Sequence, residues 1–165
     1  MHLAHKAFQC YKRLYTIVCT YLHIVIMLFR YIYVSESSPT ALAVPIEILE
    51  EARKHNLSAG ITGALCLIDG SYFQYLEGEA VDIDSLSKKL RVDPRHKNFK
   101  VLAHERISER QFPEWSMATL IWNDLSKSVF RRYYPNGAFE PRTLDTVRGT
   151  SLFLAWSQTS NWITA

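Results

Sequence analysis

The sequence is short of the features that usually announce a function. Three cysteines, Cys10, Cys19 and Cys66, are odd in number, and no CxxC pair or Cys/His cluster accompanies them, so no zinc site is indicated. Cys66 lies inside an apolar run, where it reads as a small hydrophobe, and a reducing cytoplasm is the expected compartment. Charge of one sign is missing too. Nineteen basic residues against sixteen acidic leave +3, too weak a bias to argue for nucleic acid or an anionic membrane. There is no internal repeat, no low-complexity tract and no dinucleotide-binding glycine fingerprint. What remains is an ordinary globular composition, 48% apolar and 21% charged over 165 residues. A chain of that length buries a sizeable core without disulfide or metal staples.

One apolar run stands out, Leu14 to Phe29, uncharged and preceded by Lys12-Arg13. It resembles a signal h-region or marginal anchor, but its 16 residues fall short of a spanning helix, and they include Thr16, Thr20 and His23. Met27 lies directly before a clean strand pattern, so residues 1–26 are expected to be an extension upstream of the natural start. A membrane-associated segment is the alternative, and membrane contact is expected only in that case.

From residue 28 onward the punctuation is regular. Leu28 to Ser35 reads as a strand rich in aromatic and β-branched residues. Ala41 to His55 reads as a helix with Pro45 confined to its first turn, and Ile46, Leu49, Arg53 and Asn56 share one face. Ala59 to Ile68 and Ser71 to Leu76 form a hairpin about Asp69-Gly70, closed by Glu77-Gly78. Val81 to Leu90 is a second helix with Ile83, Leu86 and Leu90 facing inward, broken at Asp93-Pro94. Lys100 to Ile107 and Glu114 to Trp122 are two further strands. The order βαββαββ predicts an α+β, ferredoxin-like sandwich, both helices on one sheet face with a groove between them for a flat ligand. Residues 27–122 form this domain. Residues 123–165 form a C-terminal helical cap: Leu125 to Tyr134 and Thr143 to Trp156 make a hairpin about Pro135-Asn136-Gly137.

Inside this frame Gln74 sits mid-strand among Tyr72, Phe73, Tyr75 and Leu76, sharing a face with Tyr72 and Leu76. A buried amide there must find partners for its donors and acceptor, or lose ~1–3 kcal/mol. Tyr33 carries a hydroxyl on the first strand, adjacent to the third in this topology. Singly, each has an ordinary structural explanation.

Five blocks taken together are more specific. They are Arg30-Tyr31-Ile32-Tyr33-Val34-Ser35; Glu51 to Asn56 running into Gly60-Ile61-Thr62-Gly63-Ala64-Leu65; Tyr72 to Gly78; Asp93-Pro94-Arg95-His96; and Phe112 to Met117. In order and spacing they resemble the BLUF family of flavin blue-light photoreceptors, over roughly residues 27–122, with a cap like that of the short stand-alone members. The resemblance implies FAD as cofactor, its ring lying between the two helices. It implies Ile48 and Leu90 as aliphatic walls, and cofactor contacts from His55, Asn56, Arg95 and His96. Asn56 also suits a helix C-terminus, and His96 suits simple loop packing. It implies Tyr33 and Gln74 as the photochemical pair: the phenol donates an electron and then its proton, and the amide changes rotamer or tautomer. Trp115 and Met117, two apart on the last strand and so on one face, match the family's signalling pair, although ordinary core packing explains them equally.

The implied protein is a sensor and not an enzyme, signalling to a partner protein or through a homo-oligomer. Arg131, Arg132, Tyr133 and Tyr134 offer a contact surface that is also explained as a solvated helix face. The other readings are a ferredoxin-like interaction or regulatory domain without light sensing, an acyl-phosphate enzyme and an RNA-binding domain. The enzyme wants a glycine- and arginine-bearing loop after the first strand, where Ser35-Glu36-Ser37-Ser38-Pro39 stands. RNA binding wants a basic surround.

Overall fold

The computed structural model describes residues 27–38, 46–135, 139–140 and 143–164; the side chains of residues 46–48 and 51 are outside that description. In chain order the elements are β1 (Leu28–Ser37), α1 (Ile46–Ser58), β2 (Thr62–Ile68), β3 (Ser71–Glu79), α2 (Ala80–Val92), β4 (His96–Ile107), β5 (Ala118–Leu120), α3 (Asp124–Tyr133), α4 (Thr146–Ser157) and β6 (Trp162–Ile163). The sheet runs β4-β1-β3-β2-β5-β6. β1, β2, β3 and β4 pair antiparallel in the expected ferredoxin-like order, and β5 adds parallel to β2.

Alternation along the strands sorts side chains into two cores. Tyr31 and Tyr33 of β1, Leu65 of β2, and Tyr72 and Leu76 of β3 join Ile83 of α2 on one face. Ile32, Val34, Ala64, Cys66, Ile68, Phe73 and Tyr75 point the other way, onto Leu152, Phe153 and Trp156 of α4 and Val129 and Phe130 of α3. Eight consecutive residues of β3, Ser71 to Gly78, are therefore buried, which is why its sequence lacks a polar alternation. The C-terminal helices form the second layer of the sandwich.

Several boundaries differ from expectation for local reasons. α1 runs on to Ser58 and carries Asn56 inside it; the chain then turns at Gly60 (φ +61°), so β2 begins at Thr62 and not Ala59. The predicted helix start, 41–45, is outside the described residues. β3 continues through Glu77 and Gly78 to Glu79 because these residues pair with β1. Asp69 (φ +47°) and Gly70 (φ +74°) form the two-residue turn. β4 begins at His96, which puts that residue in a strand and not a loop. The predicted strand Glu114–Trp122 shrinks to Ala118–Leu120. Of the apolar run Leu14–Phe29, residues 14–26 are outside the description, while Leu28 and Phe29 open β1. No described helix is long and apolar enough to cross a membrane.

Candidate functional site

Tyr33 and Gln74 are direct cross-strand partners in the β1–β3 ladder. The Tyr33 hydroxyl donates to Gln74 Oε1, and both residues are buried, Tyr33 to 1% exposure and Gln74 to 7%. Phe99 of β4 stacks on the Tyr33 ring at 4.4 Å, and the His96 ring meets it edge-on at 5.7 Å. Burial pushes the Tyr33 phenol well above its usual pKa of 10, the neighbouring Tyr31 adding to the effect, so the phenol keeps its proton. On its other side, Gln74 Nε2 donates to Met117 Sδ at 3.3 Å. A thioether is a weak acceptor, so this buried amide donor is under-used by the protein alone.

A cavity of about 300 Å³ opens in front of that amide, between α1 and α2. Ala52, His55 and Asn56 of α1 line one side, Leu86, Lys89 and Leu90 of α2 the other, with Gln74 and Met117 beneath and Asp93 and Arg95 at the rim. Apolar walls with a few converging polar groups are the usual make-up of a small-molecule site. Asn56, 2% exposed, donates its side-chain N–H to Ser116 O at 3.1 Å, which fixes the amide beside the cavity. Arg95 folds back onto Asp93 in a bidentate pair, which holds the Asp93 carboxyl below the usual carboxylate range. The donor set fits a flat heteroaromatic ring with carbonyl and nitrogen acceptors. Gln74, Asn56, Arg95, His55 and Lys89 can supply donors, and Leu90 and Leu86 an apolar wall.

A family model described as sensors of blue-light using FAD matches residues 28–118. The chain belongs to the BLUF family. The photoactivated adenylate cyclase subunit beta of Euglena gracilis is 33% identical over 91 residues, which are 53% of this chain and 11% of that protein. The chain thus spans about a tenth of that curated relative. Among solved structures, BlsA in its photo-activated state superposes with TM-score 0.73 at 29% identity, covering 82% of this chain and 98% of its own. BlrB, described as a BLUF protein in its dark state, gives TM-score 0.61 at 27% identity over 79% of this chain and 97% of its own.

Within this BLUF fold Tyr33, Gln74, His55, Asn56, Leu90, Arg95 and Met117 gather at or around one cavity. Of the other expected residues, His96 and Trp115 stand apart from it. Ile48 lies in the first turn of α1, where the side chain is outside the described residues. His96 does not line the cavity; it packs against Tyr72 at 4.7 Å, and its Nδ1 hydrogen-bonds the Ser35 hydroxyl at 2.7 Å.

The expectation that Trp115 and Met117 share a face is overturned. Met117 lies in the Tyr33 core, whereas Trp115 packs in the opposite one, stacked on Phe112 at 4.9 Å and against Trp162 at 5.1 Å. Two-residue parity holds only for extended chain, and residues 114–117 lie outside any strand, before β5 begins at Ala118. The predicted pair at the signalling position is therefore split across the sheet.

Three contributors escaped the sequence reading: Phe99, Lys89 and Arg53, whose Nε donates to Met117 O at 3.0 Å. Arg53 shares the helix face predicted for Ile46, Leu49 and Asn56, so its position was legible even though its partner was not.

Proposed function

We propose that this protein is a blue-light sensor that binds FAD between α1 and α2 and signals through protein contacts. One observation carries the reading: a protonated, buried phenol donates to an amide whose own N–H groups face a cavity with only a weak sulfur acceptor nearby. The bound flavin supplies blue absorption and an excited state that accepts an electron. Every other part belongs to the chain. Tyr33 stores the proton at its hydroxyl until it is passed on. Rotating the Gln74 amide exchanges Oε1 for Nε2 between Tyr33 and the cavity, and giving up the Met117 sulfur costs little. Asn56 and Arg95 hold the ring edge, and Leu90 bounds its face. His96 steadies Tyr33 near the ribityl side, and Met117 relays the change.

No catalytic output is assigned to this chain; the listener is a partner protein or a second copy in a homo-oligomer. Cys66, buried with its thiol pushed well above its usual pKa by burial, is compatible with a cytoplasmic setting. The test is a visible spectrum of the purified chain before and after blue light, with the chromophore then released and chromatographed. A yellow protein that releases FAD and shows a reversible red shift is expected. A colourless, folded protein overturns the reading and leaves an interaction domain. A yellow protein with no shift overturns the signalling role.

A further inference from the structure

A second concavity, of about 570 Å³, lies on the far side of α1 from the flavin cavity. It is bounded by Arg53, Lys54 and Leu57 of α1, by Thr62, and by Arg110 and Ser116 of the segment joining β4 to β5. Three cations face a single carboxylate, Glu114. Among the described residues none of the three forms an ion pair. Arg110 spends its guanidinium on neutral oxygens, Thr62 Oγ1 and Glu77 O at 2.8 Å and Gly60 O at 2.6 Å. Arg53 Nη2 is buried without a hydrogen-bond partner. Leu57, 74% exposed, adds an apolar lip. A buried donor on a charged group left unsatisfied is costly, and a carboxylate is its strongest complement.

We propose that this groove docks an acidic, leucine-bearing segment of a partner protein, and that light is reported there. The charge pattern points away from the chain itself as the source, since residues 1–26 and 39–45 contain no Asp or Glu. The coupling is built into one wall. Met117 lines the flavin cavity and accepts from Arg53, while Ser116 lines the groove and accepts from Asn56 at 3.1 Å. A change at the Met117 thioether, which Gln74 contacts, therefore reaches the Arg53 guanidinium through one residue, by way of the Met117 side chain and backbone carbonyl. The proposal rests on the light-sensing reading for its switching, but not for its binding chemistry.

The test uses the full flavin-loaded chain and a fluorescein-labelled ten-residue peptide of alternating Leu and Glu, followed by anisotropy in the dark and under blue light. Binding that weakens steeply with salt and differs at least threefold between dark and light is expected, as is a tenfold loss in Lys54→Glu. Lys54 is exposed with no described hydrogen bond, so this variant keeps its fold and its red shift. Lys88→Glu on α2, an equal charge change away from the groove, should leave binding intact. Equal loss in both variants would mean diffuse attraction and overturn the site, as would comparable binding of a control peptide of alternating Leu and Lys. A dimer in the wild type that Lys54→Glu dissolves would overturn the partner in favour of a second copy. A normal red shift with no peptide binding sinks this inference alone, whereas groove-dependent binding without any red shift sinks the light-sensing reading and the switching.

Discussion

At the scale of single residues, the chemistry depends on which proton sits where. Tyr33 and Gln74 are separable from flavin retention because Tyr33 does not line the cavity and most of the cavity wall comes from residues besides Gln74: Asn56, Leu86, Leu90 and Arg95 are among them. Tyr33→Phe and Gln74→Leu are each expected to keep the chromophore and lose the red shift, checked by difference spectra; a normal shift in either variant would show the pair to be misassigned. His96 offers a different handle. Burial lowers its pKa below the ordinary 6.5, Arg95 adding to the effect and Asp93 opposing it. Between its folded pKa and 6.5 the unfolded chain therefore binds more protons, so stability rises with pH there and falls away as pH drops below 6.5. Asp93, with its pKa lowered, adds a loss in the same direction further into acid. Urea midpoints taken between pH 7.5 and 5.5 should fall, and His96→Gln should flatten that slope; equal slopes would remove His96 as the cause.

At the scale of elements, the β2–β3 hairpin and the segment after β4 set the site. Gly63 (φ +153°) brings β2 so close to β3 that an added Cβ would lie 2.0 Å from Tyr75 O. Neither backbone can yield without breaking the ladder that aligns Gln74. Gly63→Ala is expected to cost at least ~2–3 kcal/mol, read by denaturant unfolding, with flavin binding impaired in step. A stable, fully loaded variant would show that the strand slides instead. The joining segment is held by Glu77, fully buried, which accepts from Gln111 N and Phe112 N, and by the backbone bond from Gly63 N to Trp115 O. Those clamps make residues 110–117 a fixed loop, and they carry Trp115 to one core and Met117 to the other.

At the scale of the whole molecule, the sheet has no solvent face along its centre. The cap helices α3 and α4 cover Phe73, Tyr75 and Cys66 on the side away from the flavin cavity, and Phe153 packs on Phe73 at 4.3 Å. The Trp156 indole N–H donates to Ser126 O at 2.9 Å and ties α4 to α3. A chain ended after Trp122 is therefore expected to aggregate or bind the dye ANS strongly, because a contiguous apolar face would be bared. A monomeric truncation with normal spectra would make the cap dispensable.

Much of this was legible in one dimension. The β1, hairpin and α2 patterns and the turn at Asp69-Gly70 follow from period and punctuation, because each depends on neighbours a few residues away. The placement of Tyr33 on a strand next to that of Gln74 follows from the element order those patterns give. The five sequence blocks added the family, and with it the expected roles of Asn56, Leu90 and Arg95. Residues 114–117 were misread as a strand because their conformation is imposed by Glu77 and Gly63, both distant in sequence. The partners of Arg53 and Phe99 and the second role of the C-terminal helices were likewise invisible. Each is a contact between elements far apart in sequence, decided by how strands pair and layers pack and not by any local preference of the chain.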